Sequence, residues 1–154
     1  MGACRFAGAA IGRRTARRDT APAMSQENVE VVKAFFDAWN AADMDAIREL
    51  YDSDAVVRPP EGWPEPGPFI GRDVVMRQFQ QMRETWDTDA GEPLSDFIEA
   101  ADRVVVRTAW RGAGRGPEST MEFTIVFMLR KGRIVYHETY WDHAEALQIL
   151  GLSE

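Results

Sequence analysis

The chain has 154 residues, 45% of them hydrophobic, which is enough for one substantial core and sets one domain as the working count. Its longest apolar runs, such as residues 123–129, fall well short of the ~20 residues that a membrane-crossing helix needs. The single cysteine, Cys4, excludes a disulfide framework or thiolate metal site and fits a reducing cytoplasm, while a formal charge of −7 argues against nucleic acid as a partner.

Charge is unevenly spread. Residues 1–23 carry five arginines and one aspartate, leaving 13 basic against 24 acidic side chains from Met24 onward. This Ala/Gly/Arg-rich segment has no hydrophobic periodicity. Its arginines resemble a presequence or a twin-arginine signal, but no apolar stretch follows them. It is read as upstream sequence from a start codon set too early, and expected to be disordered. The domain is expected to span 24–154.

Ser25 is a plausible N-cap for an amphipathic helix over 26–41, because Val29, Val32, Phe36 and Trp39 recur at helical spacing. Asp43 can cap a second, shorter helix ending near Tyr51. A strand over 55–58 runs into residues 59–68, where five prolines exclude regular hydrogen-bonded structure and leave a stiff loop carrying Trp63. From Gly71 a third helix aligns Val75, Phe79, Met82 and Trp86 on one side.

Beyond Gly91 the period changes to two, predicting strands over 93–100, 103–111, 120–130 and 133–141. Lys131-Gly132 suits a two-residue turn, which sets Arg130 opposite Arg133. Strict alternation from there pairs Val126 with His137 and Thr124 with Thr139 on one face, and puts Phe123, Ile125, Phe127, Tyr136 and Tyr140 on the other. Asp142 and Glu145 form a capping box for a short closing helix stopped by Gly151. Helices segregated ahead of a meandering sheet indicate an α+β fold.

Three stretches, AFFDAWNAADMDAIRELYDSDAVV (34–57), FIGRDVVMRQF (69–79) and LRKGRIVYHETYWDHAEALQILGL (129–152), resemble the SnoaL-like branch of the nuclear transport factor 2-like superfamily. The resemblance implies a cone: a curved, mainly antiparallel (mixed) sheet wrapped round N-terminal helices, with an apolar pocket inside. It turns Val135, His137, Thr139 and Trp141 inward, with Thr108 and Trp110 on the neighbouring strand. The greasy opposite face would then be exposed, which suggests a homodimer through the outer sheet face.

By similarity to ketosteroid isomerase, the catalytic positions carry Pro59, Phe35 and Val126, none of which can transfer a proton. By similarity to limonene epoxide hydrolase they carry Trp110, Thr108 and Thr139, so that carboxylate mechanism is absent too. His137 remains. It is read either as the base of a cyclase or isomerase, or as a floor residue hydrogen-bonded to a threonine.

Phe35, Trp39, Met82 and Trp86 from the helices, Trp63 from the loop, and Thr108, Trp110, Glu122, Thr124, Val126, Thr139 and Trp141 from the strands are expected to bind the ligand. The tryptophans suit a flat, apolar molecule, though Trp39 and Trp86 also fit ordinary core packing. Asp142 is explained by capping, and His143 begins a surface helix. The two histidines do not converge on a metal, and no cofactor is expected. Two functions stay open: a cofactor-independent polyketide cyclase or isomerase, and a noncatalytic ligand-binding or dimerisation module.

Overall fold

The computed structural model describes residues 12–152 apart from Arg115, with side chains from Gln26 onward. Helix α1 runs Gly12–Asn40 and α2 Met44–Leu50, followed by strand β1 (Tyr51–Arg58), β2 (Phe69–Ile70) and helix α3 (Arg72–Glu84). Strands β3 (Thr88–Pro93), β4 (Ile98–Ala100), β5 (Arg103–Ala113), β6 (Ser119–Arg130) and β7 (Arg133–Tyr140) precede helix α4 (His143–Ile149). None of the described helices is long and apolar enough to cross a membrane.

Helix α1 starts well before the expected position, and its backbone is already helical at Ser25, which therefore does not cap it. Residues 1–11 of the segment expected to be disordered lie outside the described residues. Val29, Val32, Phe35, Phe36 and Trp39 are buried along one stripe of α1. The Asp43 carboxylate accepts from Ala46 N–H at 3.0 Å and caps α2. Asn40, at the end of α1, exchanges two hydrogen bonds with the Gly91 backbone, 2.9 and 2.8 Å, as a neighbouring strand would.

One sheet holds the strands in the order β2-β1-β7-β6-β5-β3, with β4 also paired to β5. Pairing is antiparallel except between β1 and β7, so the sheet is mixed. The single strand expected over 93–100 is two, β3 and β4, separated by residues 94–97. Pro93 lacks the N–H to continue the first. The short β2 was not foreseen, and joins β1 through Val56 opposite Ile70 and Val57 opposite Phe69.

The turn between β6 and β7 is as the sequence predicts: Lys131 and Gly132 have φ of 53° and 76°, and Arg130 faces Arg133. Two rows further the register slips. Leu129 still pairs with Ile134, but Met128 pairs with Tyr136, Phe127 with His137 and Thr124 with Tyr140. Val135 is the extra residue of a β-bulge, and the β6 faces are exchanged relative to strict alternation.

Ile125, Phe127 and Leu129 therefore point to the helices and join the main core with Val104, Val106 and Ile134. Of the apolar outer face expected from the sequence, Tyr136 and Tyr140 remain outside, and the three β6 residues are inside. The outer face instead holds a smaller cluster, Val105 and Val126, covered by Ala146 and Leu147 of α4. Asp142 caps that helix by accepting from the N–H groups of Ala144 and Glu145.

Candidate ligand-binding site

Between α1, α3, the loop 59–68 and the inner face of the sheet lies a cavity of about 660 Å³. That is within the range of small-molecule sites. Helix α1 contributes Phe35, Phe36 and Trp39, and α3 contributes Gln78, Phe79 and Met82 at positions three and four apart. Strands β5 and β6 add Thr108 and Trp110, and Met121, Phe123 and Ile125, while β7 adds His137 and Thr139. Exposed Pro64, Glu65, Thr85 and Thr120 mark its rim.

His137 lies deep, 6% exposed, among aromatic rings: Phe127 at 5.0 Å, Phe35 at 6.0 Å and Phe79 at 6.1 Å between centroids. Its Nδ1 is 2.8 Å from the hydroxyl of Tyr51, the first residue of β1. The bulge is what turns His137 inward three residues after the inward Ile134. Burial pushes the imidazole down to about 3 and the Tyr51 phenol well above its ordinary value. Both rings are neutral across the physiological range.

One wall is pinned by Asp89 of β3. Its Oδ2 accepts from Trp39 Nε1 at 2.7 Å and Trp110 Nε1 at 3.0 Å, while Oδ1 lies 3.5 Å from Arg83 Nη2. The Arg83 guanidinium sits 4.7 Å over the Trp39 ring. Trp86 packs edge-on against Trp110 at 5.4 Å, over Gly112, where a Cβ would come within 2.6 Å of Trp86 and 2.5 Å of Trp110. Glycine is thus the residue that lets the two indoles meet.

At the loop, Trp63 lines the cavity and tilts against Trp141, 6.5 Å away. Trp141 itself is 45% exposed and does not line the space. Its Nε1 donates to the Glu61 carbonyl at 2.8 Å and latches the loop to the end of β7.

The structure brings together Phe35, Trp39, Trp63, Met82, Trp86, Thr108, Trp110, His137 and Thr139 of the residues expected at the site. Glu122, Thr124 and Val126 are not among them, because the bulge turns them to the outer face. There Glu122 pairs with Arg107 at 3.3 Å, Thr124 Oγ1 meets His143 Nδ1 at 2.8 Å, and Val126 lies under α4. The hydrogen-bond partner of His137 is accordingly a tyrosine and not a threonine.

Asp89 and Tyr51 are the site-shaping residues that the sequence does not announce. Asp89 stands in a Thr-Asp-Ala-Gly-Glu-Pro stretch of little strand propensity, and Tyr51 at the junction of a helix and a strand. Among the described residues no group of three or more His, Cys, Asp or Glu side chains is placed to hold a metal ion.

N-terminal helices packed on a mixed, mostly antiparallel sheet, with a mostly apolar cavity between them, make the nuclear transport factor 2-like fold. Residues 32–137 match the SnoaL-like domain family, and the chain belongs to it. Among solved structures it is similar to Bal32a from a soil-derived mobile gene cassette (24% identity, 75% of this chain and 89% of that one, TM-score 0.69). It is similar as well to an NTF2-like protein of unknown function from Burkholderia pseudomallei (25%, 79% and 95%, TM-score 0.67). A Sinorhizobium meliloti protein whose name proposes a polyketide cyclase is 27% identical over 71% of this chain and 93% of that one, with TM-score 0.59. A comparison with curated proteins finds no match.

Proposed function

We propose that the chain binds an uncharged, flat, ring-containing small molecule in the cone cavity. The observation that carries this reading is the lining: four tryptophans, Trp39, Trp63, Trp86 and Trp110, and five phenylalanines, Phe35, Phe36, Phe69, Phe79 and Phe123, around one space. Rigid aromatic walls favour a planar apolar guest. Charge argues against an anion, since the lining includes Glu65 and Asp89 but, among the described residues, no Lys or Arg, and against a cation, since Asp89 is already held by two indole N–H groups and by Arg83, and Glu65 sits at the exposed rim. An anion would meet repulsion with no counter-charge.

Ring-forming or isomerising chemistry without a cofactor is a second reading, favoured by the name of the Sinorhizobium relative and by an imidazole inside the cavity. A base pushed down to about 3 is a weak one, which favours binding over proton abstraction by His137. Planar polycyclic ketones, steroids and terpenoids, screened by thermal shift and tryptophan fluorescence, test the first reading: a binder raises Tm and quenches the indoles. If none of these classes does either, the reading falls. Turnover of a binder by the wild type and not by His137→Ala would establish the second.

A further inference from the structure

The Tyr51–His137 pair fixes the direction of hydrogen bonding in the cavity. The Tyr51 hydroxyl belongs to a residue with no exposed surface, and its hydrogen-bond partner among the described residues is His137 Nδ1, 2.8 Å away. Two arrangements of that bond exist. If Nδ1–H donates to the phenol oxygen, the phenolic O–H is buried with no acceptor, and its lost hydration is not replaced. If the phenol donates to Nδ1, the hydroxyl is satisfied and the imidazole carries its proton on Nε2.

The second arrangement wins, because among the described residues no acceptor other than His137 Nδ1 stands within hydrogen-bond distance of the Tyr51 hydroxyl. A doubly protonated ring is also disfavoured by its surroundings. Phe35, Phe79, Phe127 and Tyr51 enclose the ring, and none offers a counter-charge. Nε2–H has no hydrogen-bond partner among the described residues, and the ring lines the cavity although His137 is only 6% exposed.

We infer that His137 meets the ligand as a hydrogen-bond donor through Nε2–H, with Tyr51 as the positioning residue, and that the ligand presents a neutral carbonyl-type oxygen at its buried edge. This rests on the binding reading above and narrows it. A flat hydrocarbon leaves the donor unsatisfied, and a ligand whose leading group is itself a donor opposes it.

The tautomer is read on the ligand-free protein by long-range ¹⁵N–¹H correlation, with the His137 signals assigned by their loss in His137→Phe. A protonated Nε2 and a bare Nδ1, unchanged from about pH 5 to 8, is expected. The opposite tautomer, or an imidazolium forming in that range, overturns the inference. Calorimetry with 9-fluorenone and fluorene, one tricyclic frame with a carbonyl or a methylene at its edge, reads the consequence. The wild type is expected to prefer fluorenone about fivefold, within the worth of one neutral hydrogen bond.

Tyr51→Phe, which frees Nδ1, is expected to shrink that preference and mix the tautomers, while His137→Phe abolishes it and keeps fluorene binding. Equal binding of both probes to the wild type removes the donor and leaves the binding reading intact. Binding of neither probe removes both.

Discussion

Asp89 is a buried carboxylate, its side chain 4% exposed, that satisfies two indole N–H groups with one oxygen and faces an arginine with the other. Arg83 is itself 12% exposed and its Nη1 is buried without a partner, so it depends on this carboxylate. Asp89→Ala should therefore destabilise by about 3 kcal/mol, through two orphaned indoles and a buried cation, read as a lower urea midpoint at unchanged slope. A loss below about 1 kcal/mol would show that the clamp is decorative. His137 gives a pH signature instead. Its folded value of about 3 is below the unfolded 6.5, so between these limits the unfolded chain binds a proton that the folded one lacks. Stability is then full above about pH 6.5 and declines as the pH falls, by up to about 1.4 kcal/mol per unit between pH 6 and 5, before the carboxylates dominate. Replacing His137 with Phe should flatten that limb in chemical denaturation, and an unchanged slope would place the ring in a less buried setting.

At the scale of elements, the bulge at Val135 decides which residues see the cavity. Both Ile134, fully buried, and His137 face the helices, which strict alternation forbids and one extra residue permits. Deleting Val135 removes the extra residue, so Ile134 and His137 should both stay inward in a regular ladder, and the cost should stay below about 2 kcal/mol, the worth of expelling one large apolar side chain. A larger loss in chemical denaturation would mean that the bulge is needed for the pairing of β7 with β1 as well as with β6. The turn itself was legible because Lys131-Gly132 acts locally, and the helices because their apolar stripes repeat within one element. The bulge was not, since it answers to β1 as well: Tyr51 pairs with Ile134 and Val56 with Tyr136, with an irregularity between them. A signal was nonetheless present in β6, where Phe123, Ile125, Phe127 and Leu129 form the greasier face and by burial alone belong inside. Strand β3 escaped because Thr-Asp-Ala-Gly-Glu-Pro has little strand propensity, and its ladder partner β5 and Asn40 supply what the local sequence lacks. With β3 went Asp89, so the aromatic lining was readable and the group that holds two of its indoles was not.

The whole molecule has two apolar layers back to back across the same strands. Val104, Val106, Ile125 and Phe127 face the helices and the cavity, while Val105 and Val126 alternate with them on the other side, sealed by α4. Stability draws on both layers, whereas ligand binding draws on the inner one. Leu147→Ala and Phe79→Ala separate the two contributions, because Leu147 is 2% exposed on the outer face and Phe79 is 4% exposed on the cavity wall. Each should cost about 3 kcal/mol, the usual toll of truncating a buried Leu or Phe. Their effects on a bound guest should differ: fluorenone affinity stays within about twofold of the wild type in Leu147→Ala and falls about tenfold or more in Phe79→Ala, which loses a contact surface as well as a core residue. The comparison is made at a temperature where both variants remain folded by near-UV circular dichroism, so that affinity is not read through unfolding. If Leu147→Ala weakens binding as much as Phe79→Ala, the strands transmit strain from one layer to the other, and the cavity is shaped by the helix on its far side as well as by the side chains that line it.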